Sequence, residues 1–167
     1  EAELRVALAR AGHRIRSQTD TELIAHLIED LLEHTPAGPE RLLHATLAAF
    51  EKLRGLNAIV VLDVQSGELA AAKSGSPLVL GFDATGHFIA SDQAALLEHT
   101  RQLSFVHDGQ AVLLTCERAR LFEIATLSEI EPERITIDWQ PEPVERGGHP
   151  DYMSKETHEQ PALLRSL

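Results

Sequence analysis

Apolar spacing changes character once along this chain, and that change does most to limit what it can fold into. Up to Leu53, apolar residues recur every three or four positions: Leu23, Ile24, Leu27, Ile28, Leu31 and Leu32, then Leu42, Leu43, Leu47, Phe50 and Leu53. This is the period of helices that bury one face. From residue 58 the run Ala58-Ile59-Val60-Val61-Leu62-Asp63-Val64 is continuous and rich in β-branched residues, as in a buried strand. A helical block followed by a block of strands predicts an α+β domain, with helices laid on antiparallel sheet.

Finer signals order the elements. Leu4, Ala7, Leu8 and Ala11 predict a short helix over Glu3 to Ala11 that stops at Gly12, and His13-Arg14-Ile15-Arg16 suits a short strand. Pro36 and Gly38 part the two long helices, and Pro39 sits where a first-turn proline is tolerated. Ser66-Gly67 joins the 58–64 strand to Leu69–Lys73, and Asp83-Ala84-Thr85-Gly86 joins Pro77–Leu80 to His87–Ala90, two hairpins. Ser91 is expected to cap a short helix reaching about His99. Leu103–Val106, a His107-Asp108-Gly109 turn, Gln110–Glu117, Leu121–Ile124 and Ile135–Trp139 continue the antiparallel series. Pro141, Pro143, Gly147, Gly148 and Pro150 make 140–150 a linker or surface excursion. Tyr152–Gln160 permits a helix, and Pro161 to Leu167 reads as the start of another.

A net charge of −11 with no cluster of Lys and Arg excludes a groove for nucleic-acid phosphates. No apolar run reaches the roughly 18 to 20 residues that span a bilayer, and Glu1 opens no secretory pattern. A cytoplasmic location is expected. The single cysteine, Cys116, lies in an apolar strand-like run, Ala111 to Cys116, and is expected to be buried and inert. The nine histidines include no His-x-x-x-His pair with an acid beside it; His26 and His34 lie eight apart. No metal site is expected.

Four stretches carry a family likeness. Ser17-Gln18-Thr19-Asp20-Thr21-Glu22-Leu23-Ile24-Ala25-His26 resembles the Ser-x-Thr-Asp-Thr-Glu-x-Ile-Ala-His segment of glutamine–fructose-6-phosphate aminotransferases. Ser74-Gly75-Ser76-Pro77-Leu78-Val79 and Phe88-Ile89-Ala90-Ser91-Asp92 resemble two further segments of that family, in family order. Tyr152-Met153-Ser154-Lys155-Glu156-Thr157-His158-Glu159-Gln160-Pro161 is similar to the stretch that joins its glutaminase domain to its sugar isomerase domain. Each has a local reading too: Thr19 and Glu22 stand at capping-box spacing, Gly75 and Pro77 form a turn, and Ser91 and Asp92 start a helix. One departure is Asn57, where the family usually carries an aromatic residue.

The resemblance implies part of a four-layer αββα N-terminal-nucleophile hydrolase sandwich. Residues 1–139 would be the downstream portion of a class II glutamine amidotransferase (glutaminase) domain, and 140–167 a linker toward a sugar isomerase domain. In that family an N-terminal cysteine, its own amino group acting as base, attacks glutamine. The ammonia goes to fructose 6-phosphate, giving glucosamine 6-phosphate for hexosamine biosynthesis, and no dissociable cofactor is implied. Of the residues that hold glutamine, the resemblance assigns only Asp20, whose carboxylate would pair with the substrate α-ammonium; its alternative role is to favour the positive end of the following helix. Residue 1 is Glu1, and the family's nucleophile, arginine-bearing loop and oxyanion pair are expected upstream of it. The polypeptide alone is therefore expected to be inactive. Strand edges left open by this are expected to favour a homo-oligomer. Two alternatives stay open: another glutamine amidotransferase, such as a phosphoribosylpyrophosphate amidotransferase, and a noncatalytic scaffold or regulatory module that keeps the fold.

Overall fold

The computed structural model describes residues 2–138 and 146–166. Three helices come first: α1 (Ala2–Arg10), α2 (Asp20–His34) and α3 (Arg41–Phe50). Among the described residues nine strands follow: β1 (Asn57–Leu62), β2 (Leu69–Ser74), β3 (Val79–Asp83), β4 (Gly86–Ala90), β5 (Gln102–Phe105), β6 (Gln110–Leu114), β7 (Ala119–Glu123), β8 (Ser128–Ile130) and β9 (Ile135–Thr136). A 3-10 turn, Gln93–Ala95, lies between β4 and β5, and α4 (Tyr152–Ser166) ends the described chain. Trp139 and the expected linker residues 140–145 lie outside the described residues.

The strands form two antiparallel sheets, ordered β1-β2-β6-β7-β8 and β4-β3-β5-β9. Alternation along β2 shows how they stack. Ala70 and Ala72 face Leu42, Leu43 and Leu47 of α3, together with Ala111, Leu113 and Phe122. Ala71, between them, faces the second sheet through Leu80 and Phe82, beside Val112, Leu114 and Leu121. Alanine is a weak strand former, yet three in a row on a strand buried on both sides let a helix layer and a second sheet approach closely. The outer face of the second sheet is covered by Leu96 and Leu97, after the 3-10 turn, and by Ile137. The order is helices, sheet, sheet, then a short irregular cover, which agrees with the expected α+β sandwich.

β1 is the open edge of the first sheet and overhangs the second. Its pairing sets Val60 opposite Ala71, so Ala58, Val60 and Leu62 share the inter-sheet face, but the described residues leave them uncovered: Val60 is 45% and Leu62 56% exposed.

The chain passes between the sheets three times, at 75–78, 106–109 and 131–134, and Asp108 fastens the first two passages together. Its Oδ1 takes the Lys73 ammonium at 2.6 Å and the Gly75 amide at 2.9 Å. The Lys73 hydrogen bond, followed by the Gly75 amide, lowers the Asp108 pKa. Gly75 sits at φ +72°, and a Cβ there would collide with the Leu56 side chain. The Ser-Gly-Ser-Pro stretch is thus a sheet-to-sheet crossing. Gly81 in β3 has a different reason: a Cβ there would meet Thr100 Cγ2 at 2.8 Å and Leu96 Cδ1 at 3.3 Å. Thr100 is buried and donates to the Phe82 carbonyl. Gly81→Ala is expected to destabilise by about 1–3 kcal/mol through overpacking; urea unfolding measures this, and an unchanged midpoint would contradict the close approach.

Several local expectations change. His107-Asp108-Gly109 does not close a hairpin, because β5 pairs with β3 and β9 while β6 pairs with β2 and β7. A turn signal reads the same whether the chain reverses within a sheet or changes sheets. Cys116 is exposed, not buried. The Thr115 hydroxyl accepts the Glu117 and Arg118 amides, each at 3.2 Å, and this turn ends the apolar strand at Leu114. Residues 13–16 form loop rather than strand. Asp92, not Ser91, caps the turn after β4, accepting the Ala94 amide at 2.7 Å, and only three residues are helical there. Tyr152 to Ser166 is one helix running through Pro161, with no buried residue.

Candidate functional site

The head of α2 departs from the expected capping box. Thr19 is the N-cap residue but makes no side-chain cap bond. Its hydroxyl instead lies 2.7 Å from that of Ser17. Glu22 reaches past Thr19 and takes the backbone amides of Arg16 and Ser17, each at 2.6 Å, and the Ser17 hydroxyl. One carboxylate thus ties the incoming loop to the first turn of the helix, two and three residues further back than the motif spacing suggests. The Ser17 hydroxyl first, then the Arg16 amide, hold Glu22 down from 4.5 to about 2. A depressed folded pKa gives stability that is present above the unfolded value and is lost as pH falls from about 4.5 through about 2. A carboxyl-carbon NMR titration is expected to place the Glu22 midpoint near 2, and a midpoint near 4.5 would contradict this loop geometry.

This tie places Asp20, the first residue of α2, on the surface beside the β1 edge. Asp20 borders two cavities that share Asn57. One, of about 410 Å³, is lined by Glu3, Leu4, Leu23, Lys52 and Arg54 among others. The second, also about 410 Å³, runs along Asn57–Leu62 under Ile24 and Ile28. Asp20 therefore opens onto the cleft between α2 and β1, at the rim of the helix layer, not into the space between the sheets. Two acids, Asp20 and Glu3, and two bases, Lys52 and Arg54, on one cavity can receive the ammonium and carboxylate of an amino acid. Lys52 and Arg54 stand out by nothing in the sequence; only the turn between α3 and β1 brings them there. Asn57 is held locally, donating to the Arg54 and Gly55 carbonyls at 3.1 Å each. It orders this turn. Cys116, between β6 and β7, lines neither cavity.

A family model described as a glutamine amidotransferase domain matches residues 1–98, more than half of the chain. The chain belongs to the glutamine amidotransferase domain family. The match spans α1 to α3, the Asp20 cleft and strands β1 to β4. Relatives named glutamine–fructose-6-phosphate aminotransferase [isomerizing] include one from Thermus thermophilus, 42% identical over 164 residues, 98% of this chain and 26% of that protein. Another, from Symbiobacterium thermophilum, is 39% identical over 165 residues, with the same coverage of 98% and 26%. The chain spans about a quarter of the length of the curated relatives it matches. Among solved structures, glutamine phosphoribosylpyrophosphate (PRPP) amidotransferase from B. subtilis, complexed with ADP and GMP, superposes with a TM-score of 0.58 at 22% identity. That superposition covers 74% of this chain and 26% of that one. At this identity it supports the sandwich fold of the amidotransferase domain. Among the described residues no helix is long and apolar enough to cross a membrane.

Proposed function

We propose that this chain is the downstream part of the glutaminase domain of a glutamine–fructose-6-phosphate aminotransferase, and that Asp20 receives the α-ammonium of glutamine. The observation that carries the proposal is the position of the Thr19-Asp20-Thr21-Glu22 stretch. It heads α2 beside a cleft, in a chain 42% identical to such an enzyme over 98% of its length. A short carboxylate suits this role, because an ammonium leaving water needs an ionised partner at hydrogen-bond distance.

In the assembled enzyme an N-terminal cysteine would attack the side-chain amide of glutamine and release ammonia for amination of fructose 6-phosphate. Residues 1–139 would belong to the glutaminase domain and 140–167 would lead to the isomerase domain; the absence of any buried residue in α4 supports a connecting role. The bare inter-sheet face of β1 supports further strand contacts there, from the rest of the domain or from a second copy in a homo-oligomer. A cytoplasmic setting fits the pathway.

The test is an assay of the native gene product for glutamate and ammonia from glutamine, and for glucosamine 6-phosphate when fructose 6-phosphate is present. The 167-residue polypeptide by itself is expected to release no ammonia, since it carries no cysteine at residue 1. Ammonia release from that polypeptide, abolished by Cys116→Ala, would overturn the proposal.

A further inference from the structure

The histidines that show no metal spacing along the chain come together in space. His13, in the loop after α1, and His26, on the second turn of α2, have ring centroids 5.0 Å apart. Glu29, one turn further along α2, brings its Oε2 to 3.4 Å from Nδ1 of both rings. The donor atoms of all three side chains lie within 4.8 Å of one another. They line a cavity of about 440 Å³ with Gly12, Arg14, Arg16 and Glu22.

We infer that His13, His26 and Glu29 form a binding site for a divalent transition metal, zinc in the first instance, that ties the α1–α2 loop to α2. Three features argue for it. First, donors about 2.0–2.1 Å from a tetrahedral zinc stand roughly 3.3 Å from each other, close to the 3.4 Å found between Glu29 and each imidazole. Second, each ring turns its outer nitrogen to another carboxylate: His13 Nε2 lies 3.3 Å from Asp30 Oδ1, and His26 Nε2 lies 3.8 Å from Glu22 Oε1. Carboxylates behind metal-bound imidazoles fix the tautomer and raise ligand basicity. Third, with the ring protons directed outward, both Nδ1 lone pairs face the Glu29 carboxylate. Three acceptors then converge on one point, an arrangement that a cation completes. Two imidazoles and a carboxylate suit zinc, with the fourth position left to water.

The site needs no part of the glutamine cleft. Its effect is mechanical: the metal joins residue 13 to the same helix whose first residue is Asp20.

The experiment is calorimetric titration of the metal-stripped protein with Zn²⁺, alongside cobalt(II) substitution read by visible absorption. The expected result is one zinc per chain, cobalt bands of tetrahedral intensity and a raised thermal midpoint. His13→Ala and His26→Ala should each weaken binding at least about a hundred-fold, and Asp30→Asn about 10–100-fold. Glu29 is 65% exposed, so Glu29→Gln keeps the fold, and it should weaken binding at least about tenfold. A second pair, His149 and His158, also 5.0 Å apart, serves as control, and His149→Ala should leave binding unchanged. Absence of stoichiometric zinc uptake, or uptake of unchanged affinity in Glu29→Gln, would overturn the inference.

Discussion

Replacing Asp20 by asparagine in the native gene product is expected to raise the KM for glutamine by about thirty- to a thousand-fold, the usual scale for removing one partner of a desolvated charge pair. Asparagine keeps the shape of the side chain but leaves the substrate ammonium facing a neutral amide. The lost contact is to a part of glutamine far from the reacting amide, so it is made alike in ground state and transition state. The loss should therefore fall on KM rather than on kcat. The competing role for Asp20 is to favour the positive end of α2, which is worth about 0.3–1 kcal/mol of stability. A variant with a slightly lower thermal midpoint and an unchanged KM would favour that role and remove Asp20 from the substrate site.

The second large effect concerns the layer that carries the site. Phe122 of β7 is 1% exposed and packs under α3 with Leu43, Leu47 and Leu113. The Arg120 guanidinium lies 4.7 Å from its ring centroid. Arg120 bridges Glu40, before α3, and Glu129 of β8, at 2.6 Å each. The Glu129 bond, with Glu40 behind it, raises the Arg120 pKa. Phe122→Ala removes a fully buried ring and the surface that this cation covers. A cost of about 3–5 kcal/mol is expected, which lowers the thermal midpoint by about 6–20 °C. Calorimetry checks this. A loss below about 1 kcal/mol, ordinary for a surface position, would mean that helix layer and sheet are not packed here as described.

The parts of this fold that the chain announces are those whose signal is local. α2 and α3 follow from apolar residues at helical spacing, and β1–β2 and β3–β4 follow from turn residues between apolar runs. In both hairpins an aspartate fixes the turn: Asp63 accepts the Gln65 amide at 2.9 Å, and Asp83 accepts the Thr85 amide at 2.8 Å. What escaped depends on pairing at a distance. β8 is three residues, Ser128-Glu129-Ile130, too short and polar to stand out, and it follows a turn in which Leu127 takes φ 55°, where glycine would be the usual sign. The change of sheet at 106–109 has the same residues as a hairpin turn. The exposure of Cys116 turns on one hydroxyl, that of Thr115. At the candidate site Asp20 was legible through its motif, but the cleft was not, because Lys52 and Arg54 are ordinary surface residues until the α3–β1 turn sets them near α2. The His13 and His26 pairing was hidden for a related reason: one lies on a loop and the other on a helix, and Glu22 holds that loop in place.

The central claim is that the opening between α2 and β1 receives the amino-acid end of glutamine. A crystal structure of the native gene product with bound glutamine tests it most directly. The account predicts the ligand α-nitrogen about 2.7–2.9 Å from an Asp20 carboxylate oxygen, the range of a charge-assisted bond. Glutamine seated elsewhere, with Asp20 turned to solvent, would contradict it.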